Sequence, residues 1–302
     1  MPIRQITIIG TGLIGGSFAL ALKKHHFLGR IVGCDRAPVL ERARDKGAID
    51  EGRTSPSDAI RGSQLVLLAT PVGSIIDLIE RIGPVLSART LLTDVGSTKA
   101  DVAARAAAVL GRNAGRRFLA GHPMSGKEQA GVEFADPDLF LGATWFFTPL
   151  PDQNIYGGLS GEFVEWVERI GARIASMDAA EHDHLCAWIS HLPQMISTAL
   201  AASLVDEFGE EAPLLEAGGR ALREMTRISA SPYSMWHDIA LTNKKNLQKA
   251  LLKLERRLAH IRENLSTREL AMEFERAHQL KKCAPEEENE SHGDTRPEEL
   301  NH

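Results

Sequence analysis

Residues 8–17 read Ile8-Ile9-Gly10-Thr11-Gly12-Leu13-Ile14-Gly15-Gly16-Ser17, which puts Gly10, Gly12 and Gly15 in the G-x-G-x-x-G spacing. A β-branched run (Ile3, Ile6, Ile8, Ile9) precedes them, and Phe18 to Leu22 suits a helix. Strand, glycine turn and helix in that order predict a dinucleotide site rather than an ordinary turn. The first glycine permits the tight turn, the second lets backbone approach a pyrophosphate, and the third lets helix and strand pack closely. Free N–H groups at the helix start, where Leu13 and Ile14 lie, then face the phosphates. The alternative is a glycine-rich turn that holds no ligand. Against it stands a second strand, Arg30 to Cys34, ending in Asp35. A carboxylate there accepts hydrogen bonds from both ribose hydroxyls and repels a 2′-phosphate, which favours NAD over NADP. Arg36 is the opposing signal, since a guanidinium at this place pairs with a 2′-phosphate.

The chain has 302 residues, 43% of them hydrophobic and 25% charged, enough for two domains of ordinary globular composition. Its net charge of −5 is concentrated in one place. Residues 285–302 carry seven acids and one arginine, and the rest of the chain has 34 basic and 33 acidic residues. A body so nearly neutral lacks the basic footprint of a nucleic-acid binder. Cys34, Cys186 and Cys283 are odd in number and far apart, with no C-x-x-C pair. That argues against a disulfide framework or a zinc site and for a reducing cytoplasm. No signal peptide is expected, and no apolar run is long enough to span a membrane.

From the start to residue 177, short apolar runs alternate with helical patterns, which predicts a Rossmann-type, mostly parallel sheet with crossover helices. The expected strands are Gln5–Ile9, Arg30–Cys34, Gln64–Ala69, Leu91–Asp94, Arg117–Ala120, Thr144–Thr148 and Arg173–Ser176. Several end in polar or glycine-rich residues: Thr70-Pro71, Asp94-Val95-Gly96-Ser97 and Gly121-His122-Pro123. Ligands of an open α/β sheet sit beyond the carboxyl ends of its strands, so these segments should share the cofactor's crevice. After Asp178 the spacing turns helical over 181–208, 213–227, 234–263 and 266–281. The expectation is an α/β domain over 1–177 and an all-α domain over 178–282. A disordered acidic tail, 283–302, should follow. Alanine-rich stripes (Ala199, Ala201, Ala202) on long apolar helices predict burial against a second copy of the chain, a homodimer. The other reading is a self-contained bundle.

His122 is the leading candidate for a catalytic group. It follows a strand at the cofactor end, Pro123 keeps it out of helical geometry, and an imidazole can take a hydroxyl proton while a hydride leaves. Ser97 and Thr98 either cap the next helix or offer a hydroxyl to a ligand. Ser190-His191-Leu192-Pro193-Gln194 sets a histidine and an amide beside a proline that should kink its helix. His182, His184 and His191 lack metal-ligand spacing, so no metal is expected. The first two are expected to be surface or capping groups. Arg220, Arg223 and Arg227 share one helix side, where acids such as Glu224 and Glu128, or a substrate carboxylate, would satisfy them.

Together these segments resemble the prephenate/arogenate dehydrogenases. The resemblance rests on Gly-Leu-Ile-Gly-Gly-Ser at 12–17, Asp-Val-Gly-Ser-Thr-Lys at 94–99 and Gly-His-Pro-Met-Ser-Gly at 121–126, which contains Ser125. It continues through Glu-His-Asp at 181–183, Ser-His-Leu-Pro at 190–193 and Thr-Arg-Ile at 226–228, up to about Glu275. It implies a Rossmann domain followed by a helical dimerisation domain, and oxidative decarboxylation of prephenate or arogenate with NAD in tyrosine biosynthesis. It also implies roles for single residues. His122 would take the C4 hydroxyl proton and Ser97 would hold that hydroxyl. Arg227 would bind the ring carboxylate, and His191, Gln194 and Ser125 would line the substrate site. Many relatives read Ser-His-Leu-Pro-His where this chain ends in Gln194, which bears on the substrate's side chain. Two other readings remain: a β-hydroxyacid-type dehydrogenase using Lys244 or Lys245, and a non-catalytic NAD-binding dimer.

Overall fold

The computed structural model describes residues 2–127, 129–209 and 217–282. The acidic segment 283–302, Glu128 and the first residues of the 213–227 helical stretch lie outside the described residues. Eight strands form one sheet: β1 (Gln5–Ile9), β2 (Arg30–Cys34), β3 (Glu51–Arg53), β4 (Leu65–Leu68), β5 (Leu91–Asp94), β6 (Phe118–Pro123), β7 (Thr144–Thr148) and β8 (Arg173–Ser176). Their order is β3-β2-β1-β4-β5-β6-β7-β8. β1 to β6 are parallel, β7 runs antiparallel to β6, and β8 pairs parallel with β7. The sequence pattern did not reveal β3, whose three residues, Glu-Gly-Arg, carry no apolar alternation. β6 extends past the expected Ala120 to Pro123, so His122 belongs to the strand itself.

Because β1, β4, β5 and β6 run the same way, their carboxyl ends emerge together at one edge. The strands are buried on both faces, as crossover helices require. In β4, Leu65 and Leu67 face one core while Val66 and Leu68 face the other. The first core is built on the aromatic side chains Phe18, Phe140, Trp145, Phe147 and Phe163, whose neighbouring rings lie 5.2–6.4 Å apart. The second is capped by the helix Val72–Ile82, which buries Val72, Ile75, Leu78, Ile79 and Ile82 at helical spacing.

Among the described residues, no strand follows Ser176. The helix Ala179–Cys186 passes through a π-helical turn, Ala187–His191, into the helix Leu192–Phe208. Pro193 explains the turn: it has no N–H to give, and its ring displaces the carbonyl four residues back. The kink expected from sequence therefore takes the form of one widened turn. Next come the helix Gly219–Thr226, a 3₁₀ turn Arg227–Ala230 and the helix Tyr233–Thr242. Of the described residues, those up to Ala250 form one compact unit and those from Leu251 to Lys282 form another. In the latter, Arg257 reaches both carboxylate oxygens of Glu273 at 2.7 Å, tying the helix Lys244–Glu263 to the helix Arg268–Lys282. No helix among the described residues is long and apolar enough to cross a membrane.

Candidate active site

Each fingerprint glycine does a different job. Gly10 has φ of 94°, and a Cβ there would lie 2.4 Å from the Ala69 carbonyl oxygen. A Cβ on Gly15 would lie 2.0 Å from the Gly10 carbonyl oxygen and 2.8 Å from Ile8 Cγ2, so the helix Leu13–Lys24 packs on β1 only because it is absent. Gly12 meets no atom within 4 Å, which leaves its backbone open on the side a pyrophosphate would occupy. Asp35 is held ready by two backbone donors: Thr11 N–H gives to Oδ2 at 2.9 Å and Arg36 N–H to Oδ1 at 2.8 Å. The Thr11 hydroxyl adds a longer contact to Oδ2 at 3.4 Å, and Oδ1 keeps a further lone pair for a ribose hydroxyl. The Arg36 side chain is exposed. Thr70 Oγ1, buried at the end of β4, has no hydrogen-bond partner. An open glycine turn, an oriented acid and an orphaned hydroxyl at the same sheet edge fit a dinucleotide.

A cleft of about 390 Å³ runs along this edge. Gly12, Leu13 and Ile14 line it beside Thr70 and Pro71, Ser97, His122 and Ser125. Pro232, Ser234, Met235 and Ile239 complete it from the helical part of the chain. The Ser125 hydroxyl donates to the Leu139 carbonyl at 2.5 Å, so it braces its own loop as well as lining the cleft.

Behind the cleft wall lies a buried polar network. His122 Nδ1 is 2.9 Å from His182 Nε2, and His182 Nδ1 is 2.9 Å from Asp183 Oδ1. Asp183 also accepts the Lys99 N–H at 2.7 Å and the Ala100 N–H at 2.9 Å. The helix Ala100–Leu110 thus receives its N-terminal cap from Asp183. Neither serine-threonine hydroxyl plays the capping part the sequence offered: Ser97 lines the cleft, and Thr98 Oγ1 bonds Thr242 Oγ1 at 2.8 Å. Lys99, fully buried, forms an ion pair with Asp94 and donates to the Gly121 carbonyl at 2.8 Å, fastening β5 to β6 beside His122. Burial pushes the Asp94 carboxyl upward, and the Lys99 ammonium pulls it back. Burial holds His122 well below the ordinary histidine value, and the basic groups His182, Lys99 and His191 push the same way. His122 is therefore neutral near pH 7, with a lone pair to offer.

His182, read from sequence as a surface or capping group, is fully buried. The signal for it was Asp183 next door, but only the fold brings that pair under His122. His191 is also fully buried and sits behind the cleft rather than among its lining residues. Its Nδ1 is 3.2 Å from Asn243 Nδ2, its Nε2 has no partner, and burial lowers its pKa to about 4. Gln194 donates to the Ile228 carbonyl at 2.9 Å and to Thr198 Oγ1 at 3.2 Å, clamping the 3₁₀ turn that begins at Arg227. Arg227 itself is exposed and is not among the cleft's lining residues. Arg220 pairs with Glu224 at 2.7 Å on an exposed helix face.

His122, His182 and Cys186 could share an ion only by separating. The two ring nitrogens stand at direct hydrogen-bond distance, 2.9 Å, whereas ligand atoms of a tetrahedral zinc lie roughly 3.3 Å apart. Burial also pushes the Cys186 thiol up to about 12, far from the thiolate a metal needs.

The chain matches the family Prephenate dehydrogenase, nucleotide-binding domain, over residues 18–175, and Prephenate dehydrogenase, dimerization domain, over residues 178–279. It is 33% identical over 272 residues to a prephenate dehydrogenase of Lactococcus lactis, covering 84% of this chain and 72% of that protein. It is 35% identical to a prephenate dehydrogenase of Bacillus subtilis, covering 80% of this chain and 65% of the relative. Among solved structures, the prephenate dehydrogenase of A. aeolicus in complex with hydroxyphenyl propionate and NAD+ superposes with a TM-score of 0.81 at 31% identity. That match spans 93% of this chain and 98% of the other. A glycine turn and a neutral histidine in one cleft, with an oriented acid at the same edge of the sheet, agree with that likeness, and the chain belongs to the prephenate dehydrogenase family.

Proposed function

We propose that this protein catalyses the NAD-dependent oxidative decarboxylation of prephenate to 4-hydroxyphenylpyruvate, the step that forms the phenol ring for tyrosine. The observation that carries the reading is His122: neutral, at the carboxyl end of β6, and in the same cleft as Gly12 and Ser97. The glycine turn and Asp35 would hold NAD, whose nicotinamide when bound accepts the hydride from C4 of the ring. His122 takes the proton of the C4 hydroxyl as the carbonyl forms. Ser97, on the neighbouring strand end, holds that hydroxyl against His122. Loss of the ring carboxylate as carbon dioxide then leaves its electron pair in the ring, which becomes aromatic. Arg227 is the proposed partner of that carboxylate, a guanidinium being suited to a planar anion. Gln194 supports it by fixing the turn on which it stands. His191, buried beside Asn243 behind the cleft, braces the wall of the substrate site.

The exposed apolar side chains Val205, Phe208, Met225 and Leu241 of the helical part support a homodimer, as does the match to a dimerization domain. Cys34 and Cys186 are buried free thiols, in keeping with a cytoplasmic enzyme. Lys244 and Lys245, the lysines a β-hydroxyacid-type dehydrogenase would use, are exposed and do not line the cleft.

The test is NADH formation with prephenate and with arogenate, each with NAD and NADP. Activity with prephenate and NAD is expected, and His122→Asn should lower turnover by about 10²–10⁴-fold. Turnover within a few-fold of the parent would remove His122 from the chemistry. Absence of NADH with either substrate, together with tight NAD binding, would mark a non-catalytic nucleotide-binding dimer.

A further inference from the structure

Glu-His-Asp at 181–183 has no part in the mechanism so far, yet two of its three side chains end beneath the catalytic histidine. We infer that His182 and Asp183 are positioning residues that fix the tautomer of His122. The inference rests on the reading of His122 as the base. Both oxygens of Asp183 face donors: Oδ1 accepts from the Lys99 N–H and Oδ2 from the Ala100 N–H. The third contact, His182 Nδ1 at 2.9 Å from Oδ1, must then also be a donor, because a carboxylate only accepts. With its proton on Nδ1, His182 presents a bare Nε2 to His122 Nδ1 at 2.9 Å. His122 Nδ1 therefore carries the hydrogen, and Nε2, the nitrogen not committed to His182, carries the lone pair that a substrate hydroxyl needs.

The opposite tautomer would leave His122 Nδ1 and His182 Nε2 facing each other as two acceptors in a fully buried site, an arrangement that costs free energy. When His122 Nε2 takes the substrate proton, the imidazolium keeps its Nδ1–H bond to His182, and the Asp183 carboxylate lies one ring further along the same line. No further proton needs to move. Cys186 Sγ, 3.4 Å from His182 Nε2 and 3.9 Å from His122 Nδ1, closes the side of the network with a weakly polar group. The same aspartate caps the helix Ala100–Leu110, so it joins the base's orientation to the placement of the Asp94–Lys99 segment.

His182 gives the cleaner test, because Asp183→Asn removes a helix cap as well as the relay. His182→Leu keeps the bulk and removes the acceptor, whereas His182→Gln offers an amide oxygen to His122 Nδ1. The expected result is a fall in kcat of about 10²-fold or more for His182→Leu with KM for prephenate nearly unchanged, and recovery of most of that loss in His182→Gln. Two-dimensional ¹H–¹⁵N spectra of the ring nitrogens give a readout independent of turnover. His122 should appear as the Nδ1–H form in the parent and in His182→Gln, and as the Nε2–H form in His182→Leu. A parent spectrum with His122 protonated on Nε2, or a folded His182→Leu with kcat within threefold of the parent, overturns the relay. If His122→Asn itself retains turnover, the reading of the base fails instead.

Discussion

At the scale of single residues, this site works by denying water to groups that normally have it. His122 is neutral because burial penalises its cation, so the acid limb of the kcat/KM profile should fall below the ordinary histidine range near 6.5. A pH–rate series with prephenate measures it. His191 makes the same physics visible as stability. Its pKa is about 4 in the folded chain and near 6.5 when exposed, so below pH 6.5 the unfolded chain takes up a proton that the folded one refuses. Stability should therefore fall as pH drops from 6.5 to 4, by roughly 3 kcal/mol from this group, and level off on either side. Since His122 contributes in the same direction, the measurement is a difference: urea unfolding of the parent and of His191→Gln at pH 7 and pH 4.5. The variant should show the smaller loss. Asp35 offers a third test. Losing its charge-assisted bonds to ribose should cost about 1.5–3 kcal/mol of NAD binding, so Asp35→Ala should raise the Kd for NAD by tens of fold and narrow its preference over NADP. Titration calorimetry with both nucleotides reads this directly.

At the scale of elements, helix starts are where distant parts of the chain meet. The helix Val72–Ile82 begins at Pro71 with no capping side chain of its own. Its Gly73 N–H instead gives to Asp238 Oδ2 at 2.9 Å, and a Cβ on Gly73 would press on that same carboxylate. Asp238 belongs to the helix Tyr233–Thr242, which also supplies Met235 and Ile239 to the cleft. A borrowed cap of this kind is worth about 1 kcal/mol. Asp238→Ala should lose about that much stability in chemical denaturation and should raise KM for NAD more than it lowers kcat, because it loosens a cleft wall without touching His122. The helix Ala100–Leu110 borrows its cap from Asp183 in the same way. In both cases a helical segment after residue 178 satisfies a helix of the sheet region, which explains why 178–250 forms one compact unit with the sheet.

At the scale of the whole molecule, the helical part leaves large apolar side chains in water that a lone chain of this size would ordinarily cover. Phe208, Met225 and Leu241 are each more than half exposed. Burying them against a second copy would remove that cost. Sedimentation at micromolar concentration should therefore give twice the mass of the chain, and Phe208→Asp with Leu241→Asp should shift it toward the monomer. A parent that sediments as a monomer would leave those side chains without a purpose in this scheme.

The sheet was legible in the sequence because its signal is local. Runs such as Leu65–Leu68 and Leu91–Asp94 are short, apolar and bounded by turn residues, and the glycine spacing at 10–15 marks one turn without reference to anything distant. His122 was legible for the same reason: it stands at the end of a short apolar run and precedes a proline. β3 escaped because Glu-Gly-Arg has no pattern to read, its pairing with β2 being imposed by neighbours. His182, Gln194 and the caps from Asp183 and Asp238 escaped for a different reason. Their partners lie between 34 and 165 positions away along the chain. A histidine beside an aspartate on a helix reads equally well as surface or core until the fold sets another histidine against it. By itself, then, the sequence determined the nucleotide turn, the parallel sheet, the edge where ligands gather and the histidine that stands there. Only the tertiary structure decided which nitrogen of that histidine is free, because hydrogen bonding in a buried site is set by the groups that desolvation forces together, not by neighbours along the chain.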